Sequence, residues 1–282
     1  MIAPVTLDLD GMTFNQSTDE WVFEDWSGWY GGAPITVRQT DRTGHGATGG
    51  PGRRGARLLS VTGWRAGRRA ELAPLVEELE SLLADGQTGI FRVYDVDLGD
   101  RWVPVQLTGT IETDWDNPRM LEFQISLLAL DSFKYGETST ASTTFAEPVT
   151  GGGFVWPAFP DRVADFGARG TPNDLTIRNA GKAPSSVRFI VDGPTPELGF
   201  QIVESGTGKT LSFLSGVPAG SQLVIDGKTG NATLDDVADR SGDVVVDEWP
   251  VLAPGAESTF TFESLAGFTT ATLTAETTAT YW

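Results

Sequence analysis

RMLEFQISLLALDSFKYG, residues 119–136, is the stretch that decides how this chain folds. Leu121, Phe123, Ile125, Leu127 and Ala129 alternate with Glu122, Gln124, Ser126 and Leu128, the period-two pattern of a strand with one face in a core. The other face begins polar at Glu122 and turns apolar at Leu128 and Leu130, so the end of the strand is expected to leave its own domain and meet another surface. Asp131 to Gly136 closes the strand in an aromatic-containing turn. The next residues, 137–153, are rich in Ser, Thr, Ala, Gly and Pro, the composition of a linker. The expected organisation is therefore a first domain over 1–136, a linker over 137–153 and a second domain over 154–282.

A chain of 282 residues has ample length for two domains, each with its own core. With no cysteine and one histidine, disulfides and Cys- or multi-His metal sites are excluded, which leaves only oxygen ligands for a hard cation. No cofactor is expected. The opening MIAPVTLDLDG lacks the basic segment and apolar run of a signal peptide, and no later run approaches the roughly 20 apolar residues of a membrane span. The expectation is a soluble protein made without an export signal and without a membrane partner. A net charge of −18 argues against general nucleic-acid binding, because phosphate contacts need clustered Lys and Arg. The charge is uneven: between Arg38 and Arg69 eight arginines face the single acid Asp41, while the rest is strongly acidic. A basic patch on an acidic protein suits an acidic partner, including another copy of itself.

Moving outward from residues 119–136, the first domain opens with a strand at Val5 to Leu9, followed by WVFEDWSGWY over 21–30. Three Trp and one Tyr in ten residues suit a sugar-stacking platform, but also a capped barrel end or a protein interface, and the second reading is preferred. Ile35 to Arg38 is expected as a strand. QTDRTGHGATGGPGRRGA, residues 39–56, has six glycines and almost no apolar residue, and is expected as a mobile loop of functional length. Arg57 to Trp64 is a further strand. The helix spans 71–84, where Leu72, Leu75, Val76, Leu79, Leu82 and Leu83 form one apolar stripe. Pro74 belongs in its first turn and Gly86 ends it. Strands return over 89–94, 101–113 and 119–130, which makes a mostly antiparallel sheet or barrel with one helix on it. In the second domain 154–170 is irregular. Short strands then recur from Asp174 to Glu276 at the spacing of a β-sandwich, with no helix among them.

No motif carries catalysis. Gly206 to Thr210, GTGKT, imitates the end of a phosphate loop, but Val203 stands where the first glycine belongs and two strands flank it, so it is a hairpin turn. Asp95, Asp97 and Asp100 lack the glycine and distal glutamate of a calcium loop and also suit a hairpin. His45 lies in the Gly-rich stretch with no G-x-S-x-G elbow elsewhere, and reads as a solvated loop residue. Asp235, Asp236, Asp239, Asp243, Asp247 and Glu248 form a solvated rim. Among 38 acidic residues no carboxylate pair stands out, although glycosidase chemistry needs only two that converge in space.

The order of several segments carries a resemblance: LLALDSFKYG, then FVWPAFP and DFG (Asp165 to Gly167), LTIRNAGKAPSSVRFIVDG, LVIDGKTGNATLD, EWPVLAPGAESTFTF and the terminal TYW. Together they resemble the distal tail proteins, or Dit-type minor tail proteins, of phages with long non-contractile tails, over nearly the whole chain. The resemblance implies a mainly β protein whose N-terminal domain is like the tail-tube β-barrel or sandwich and forms a hexameric ring, and whose C-terminal domain is a galectin-like β-sandwich. It implies a structural, non-enzymatic part of the virion tail tip that joins the tail tube and tape measure proteins to hub and fibre proteins. Under it, Arg42, Arg53, Arg54 and Arg57 are expected to dock on acidic surface of a neighbouring ring or hub, and Leu128 and Leu130 to meet the next copy. The alternative is a carbohydrate-binding protein of the bacterial surface, in which Trp156, Phe159, Trp249 or Trp282 stacks on sugars.

Overall fold

The computed structural model describes residues 5–16, 20–145 and 173–282. Two compact units result, the first made of Met1–Glu137 with Thr280–Trp282 and the second of Thr138–Ala279.

Unit 1 contains β1 (Val5–Leu9), β2 (Met12–Asn15), β3 (Trp21–Ser27), β4 (Ile35–Thr36), β5 (Gln39–Asp41), β6 (Ala47–Gly49), β7 (Arg53–Arg54), β8 (Arg57–Ala66), α1 (Arg69–Glu80), β9 (Thr88–Asp95), β10 (Arg101–Leu107), β11 (Glu112–Asn117), β12 (Met120–Ala129) and the start of β13 (Lys134–Thr144). Seven strands in the order β12-β8-β3-β2-β1-β9-β10 close on themselves where Gln106 and Leu107 of β10 pair with Leu128 and Leu127 of β12. The strand that decided the reading is thus the seam of a barrel. Its inward set, Leu121, Phe123, Ile125, Leu127 and Ala129, joins Leu7, Phe14, Phe91 and Val103 in one core, where each fully buried large side chain contributes about 1.5–3 kcal/mol.

Two local expectations change. The helix runs over Arg69–Glu80, earlier at both ends than the apolar stripe implied. Glu71 accepts a hydrogen bond from the Arg68 backbone N–H at 3.1 Å while its own N–H donates to the Arg68 carbonyl at 2.8 Å, and this fixes the earlier start. Pro74 consequently lies inside the helix rather than in its first turn. At the other end Leu83 adopts a left-handed φ of 52° with its side chain 3% exposed, so burial of Leu83 draws the chain out of the helix before Gly86. The expected strand over 101–113 is two strands, β10 and β11, divided around Gly109.

Residues 39–56 are not a structureless loop. β4 pairs with β7 and β5 with β6, and the tip closes with the Arg42 N–H donating to the Gly46 carbonyl at 3.1 Å. Ile35, Thr36, Thr40 and Thr48 supply strand propensity and the glycines supply the turns, so a polar segment forms a hairpin arm. Composition also misled at Glu137 to Thr144, expected as the beginning of the linker, which instead continue β13. Residues 146–153 of that linker, and the irregular segment over 154–170 with Trp156 and Phe159, lie outside the described residues.

Unit 2 contains the rest of β13 and β14 (Asp174–Arg178), β15 (Ser185–Ser186), β16 (Arg188–Asp192), β17 (Phe200–Glu204), β18 (Thr210–Phe213), β19 (Gln222–Asp226), β20 (Asn231–Leu234), β21 (Ala238–Asp239), β22 (Val244–Asp247), β23 (Val251–Leu252), β24 (Glu257–Ser264) and β25 (Thr272–Tyr281), whose last two residues belong to unit 1. One sheet runs β13-β25-β16-β19-β20-β21, the other β14-β24-β17-β18-β22. Phenylalanines fill the space between them: Phe145 stacks on Phe262 with ring centroids 3.9 Å apart and Phe189 meets Phe260 edge-on at 5.2 Å. The expected mainly β architecture, a barrel with one helix and a β-sandwich, is the architecture observed.

Candidate assembly surface

The described chemistry of this chain lies in surfaces of unit 1. The arm is the first. Every residue from Pro34 to Arg53 is exposed, including Arg38, Arg42 and Arg53, and Ile35 and Val37 remain 58% and 44% exposed. His45 is exposed at its tip. A hairpin with charged and apolar groups both turned to solvent has no internal use for either.

The second surface is apolar. Leu130 is 64% exposed and Leu128 half-buried, so the outward face of β12 ends in leucine as its sequence implied. Directly across the ladder from Leu128 lies Leu58, 60% exposed. Sequence reasoning missed Leu58, although the phase of β8 points to it: Leu59 and Val61 are inward, so Leu58 faces out.

That same phase places Arg57 inside, and here the expectation fails. Arg57 is 2% exposed and its Nη1 donates to the carbonyls of Gly28 (3.0 Å), Trp29 (3.2 Å) and Gly31 (2.9 Å). Gly28 makes this turn possible: it has φ +81°, and a Cβ there would lie 1.9 Å from the Leu58 carbonyl oxygen. Arg57 is therefore a strut and not a docking residue. Lys134 shares the turn, donating to the Trp29 carbonyl at 3.0 Å over the Trp29 ring. Burial, helped by the Arg57 and Arg101 charges, brings the Lys134 ammonium down to about 8. Burial and the Arg54 charge likewise lower the Arg57 guanidinium. Arg54 is half-buried, donates to the Ala33 carbonyl at 3.1 Å and lies 4.4 Å over the Trp282 ring, so it too is engaged within its own unit. Of the four predicted arginines, Arg42 and Arg53 are exposed on the arm and, among the described residues, their side chains have no partner.

Of the sugar-stacking candidates, Trp249 and Trp282 are among the described residues. Trp282 lies in unit 1 between Arg54 and Phe133, its ring 5.0 Å from that of Phe133. Trp249 is half-buried against the unit 2 core. The aromatic segment at 21–30 is mostly structural: Trp21, Phe23 and Trp29 are buried in the barrel core and Trp26 packs against it. GTGKT is a β17–β18 hairpin turn, and Asp95 caps the β9–β10 turn by accepting from the N–H groups of Asp97 (2.9 Å) and Leu98 (3.0 Å). Among the described residues no group of three or more His, Cys, Asp or Glu side chains has the geometry to hold a metal ion.

No protein-family model and no curated protein sequence matches the chain. Solved structures do. The SPP1 Dit (gp 19.1) protein, described as a paradigm of the hub adsorption apparatus in phages infecting Gram-positive bacteria, superposes with a TM-score of 0.67 at 15% identity over 99% of each chain. A chain of the phage P2 baseplate in its activated conformation with Ca gives 0.55 at 11% identity, and one from the form with Sr gives 0.55 at 10%, each over 98% of both chains. At these identities the likeness is one of fold: the whole chain, both units included, has the Dit fold.

Proposed function

We propose that this chain is a structural protein of a non-contractile phage tail tip, in which six copies form a ring through unit 1 and unit 2 serves as the attached sandwich. The observation that carries this reading is the correspondence over 99% of the chain with SPP1 Dit, a hub protein. Two surface features support it. Leu58, Leu128 and Leu130 form an outward apolar strip at the barrel seam, of the kind a neighbouring barrel would cover. The arm offers Arg42 and Arg53 to a second acidic surface. In this role the ring joins the tail tube and tape measure on one side to hub and fibre proteins on the other, within the virion tail tip, and performs no catalysis. Sugar binding has less support, because Trp249 is packed on its own core and Trp282 is held within unit 1.

The test is electron microscopy of the purified full-length protein, with particle mass measured on the same sample. Closed six-fold rings are expected. Leu58→Asp with Leu130→Asp, both exposed and so compatible with folding, is expected to reduce rings at least about tenfold, since burying a carboxylate without a partner costs several kcal/mol. Monomers at every concentration, alone and with tail-tube protein added, would overturn the reading.

A further inference from the structure

The barrel surface holds a groove of about 540 Å³ bordered by four carboxylates, Glu24, Glu112, Asp114 and Glu122. Their arrangement is electrostatically unfavourable in isolation. Asp114 on β11 lies directly opposite Glu122 on β12, and like charges in that register repel. Glu24 adds to them because β3 bulges there: the ladder passes from Phe23 opposite Gly63 to Asp25 opposite Thr62, leaving Glu24 as the extra residue. Only glycine fits beneath the bulge, since a Cβ at Gly63 would lie 2.0 Å from the Val22 carbonyl oxygen. All four carboxylates are exposed, and among the described residues no Lys or Arg is within ion-pair distance of them. Acids on the edge strand β11 discourage unwanted strand pairing, which accounts for Glu112 and Asp114. It leaves Glu122 unaccounted for, because that residue is paired on both sides, with Asp114 of β11 and Trp64 of β8.

The same unit carries the complementary charge. Arg38, Arg42 and Arg53 project from the arm with Asp41 as the sole acid, and among the described residues none of the three is ion-paired. We propose that the basic arm of one copy docks in the carboxylate groove of the next. This rests on the ring reading and names its second contact. Arm and groove are different patches of one chain, so the contact is heterologous, the type that repeats head to tail and closes into a ring. Guanidinium groups suit the groove because their forked donors bind carboxylates two at a time. Each docked arm would relieve the Asp114–Glu122 repulsion.

The absence of cysteine makes the contact directly testable in the full chain. Arg42→Cys and Asp114→Cys are made in separate preparations, mixed and oxidised. A disulfide-linked heterodimer is expected. Adding Arg38→Glu and Arg53→Glu to the first variant, or Glu112→Lys and Glu122→Lys to the second, should lower its yield at least about tenfold at physiological salt, and combining both sets should restore it. Rings without the cross-link and indifferent to charge reversal would overturn the docking and leave the ring reading standing. Monomers without the cross-link would remove both. A cross-link that forms within a single dilute chain carrying both cysteines would show the arm folding onto its own barrel, and would overturn the proposal too.

Discussion

The two units each bury a polar node, and the nodes are built differently. In unit 2, Asn179 is fully buried and all of its amide is used: Nδ2 donates to the carbonyls of Ala183 (2.8 Å), Leu252 (3.2 Å) and Ala253 (3.3 Å), and Oδ1 accepts from the Gly181 N–H at 2.9 Å. In unit 1, Arg57 also gathers three carbonyls but with one nitrogen, while its Nε and Nη2 are buried with no protein partner. Its companion is another cation, Lys134. A neutral amide that satisfies every group stabilises its surroundings cleanly. Two like charges on one turn stabilise it against their own repulsion and desolvation. The unit 2 node is thus fully satisfied, whereas the unit 1 node retains like-charge repulsion and two buried guanidinium nitrogens without a hydrogen bond.

Substitutions at these nodes can break that contrast. The largest effect is expected from Asn179→Ala, which strands three carbonyls and an N–H in the unit 2 interior and should cost about 3–5 kcal/mol. Denaturant-dependent amide exchange of β16 and β25 reads it. If the loss is under about 1 kcal/mol, the unit 2 node is not the anchor described.

Next comes pH. Lys134 titrates near 8 in the folded barrel and at its ordinary 10.5 when unfolded, so the folded state releases its proton first. Below pH 8 the cost of burying the charge is fully present. As pH rises from 8 toward 10.5 that cost is relieved, and unit 1 should gain stability, by up to about 3 kcal/mol. Lys134→Met should remove this rise. An identical pH profile in the variant would assign the effect to other groups.

Arg57→Met should be the mildest, about 1–2 kcal/mol, because the lost hydrogen bonds are offset by removing a buried charge. A loss equal to that of Asn179→Ala would erase the distinction between the nodes.

The fold was legible wherever one face of a strand is apolar. β1 falls at the expected residues, and the inward set of β12 is the set read from its alternation. What escaped has a physical reason in each case. β3 buries Trp21, Val22 and Phe23 in succession and then bulges at Glu24, so its period is broken. In β13 the buried positions are Lys134 and Thr143, residues that composition assigns to solvent. The arm is held by short backbone ladders of mostly polar residues and has no core to announce it. Of the candidate surface, Leu128 and Leu130 were readable. Arg57 was misplaced because its charge was weighed above its phase, which it shares with Leu59 and Val61. The carboxylate groove was unreadable, since it needs β3 to meet the β11–β12 hairpin, which is distant from it in sequence.

The chain path also bears on resistance to proteolysis. Thr280–Trp282 belong to unit 1, so the backbone enters unit 2 after Glu137 and comes back before the end of the sequence. Tyr281 lies under Arg101, 3.9 Å from the guanidinium, and Trp282 under Arg54. A protease that cuts once inside unit 2 therefore leaves both fragments moored to the barrel, one by continuous backbone and the other by these stacked rings. Two cuts are needed to shed any part of the sandwich.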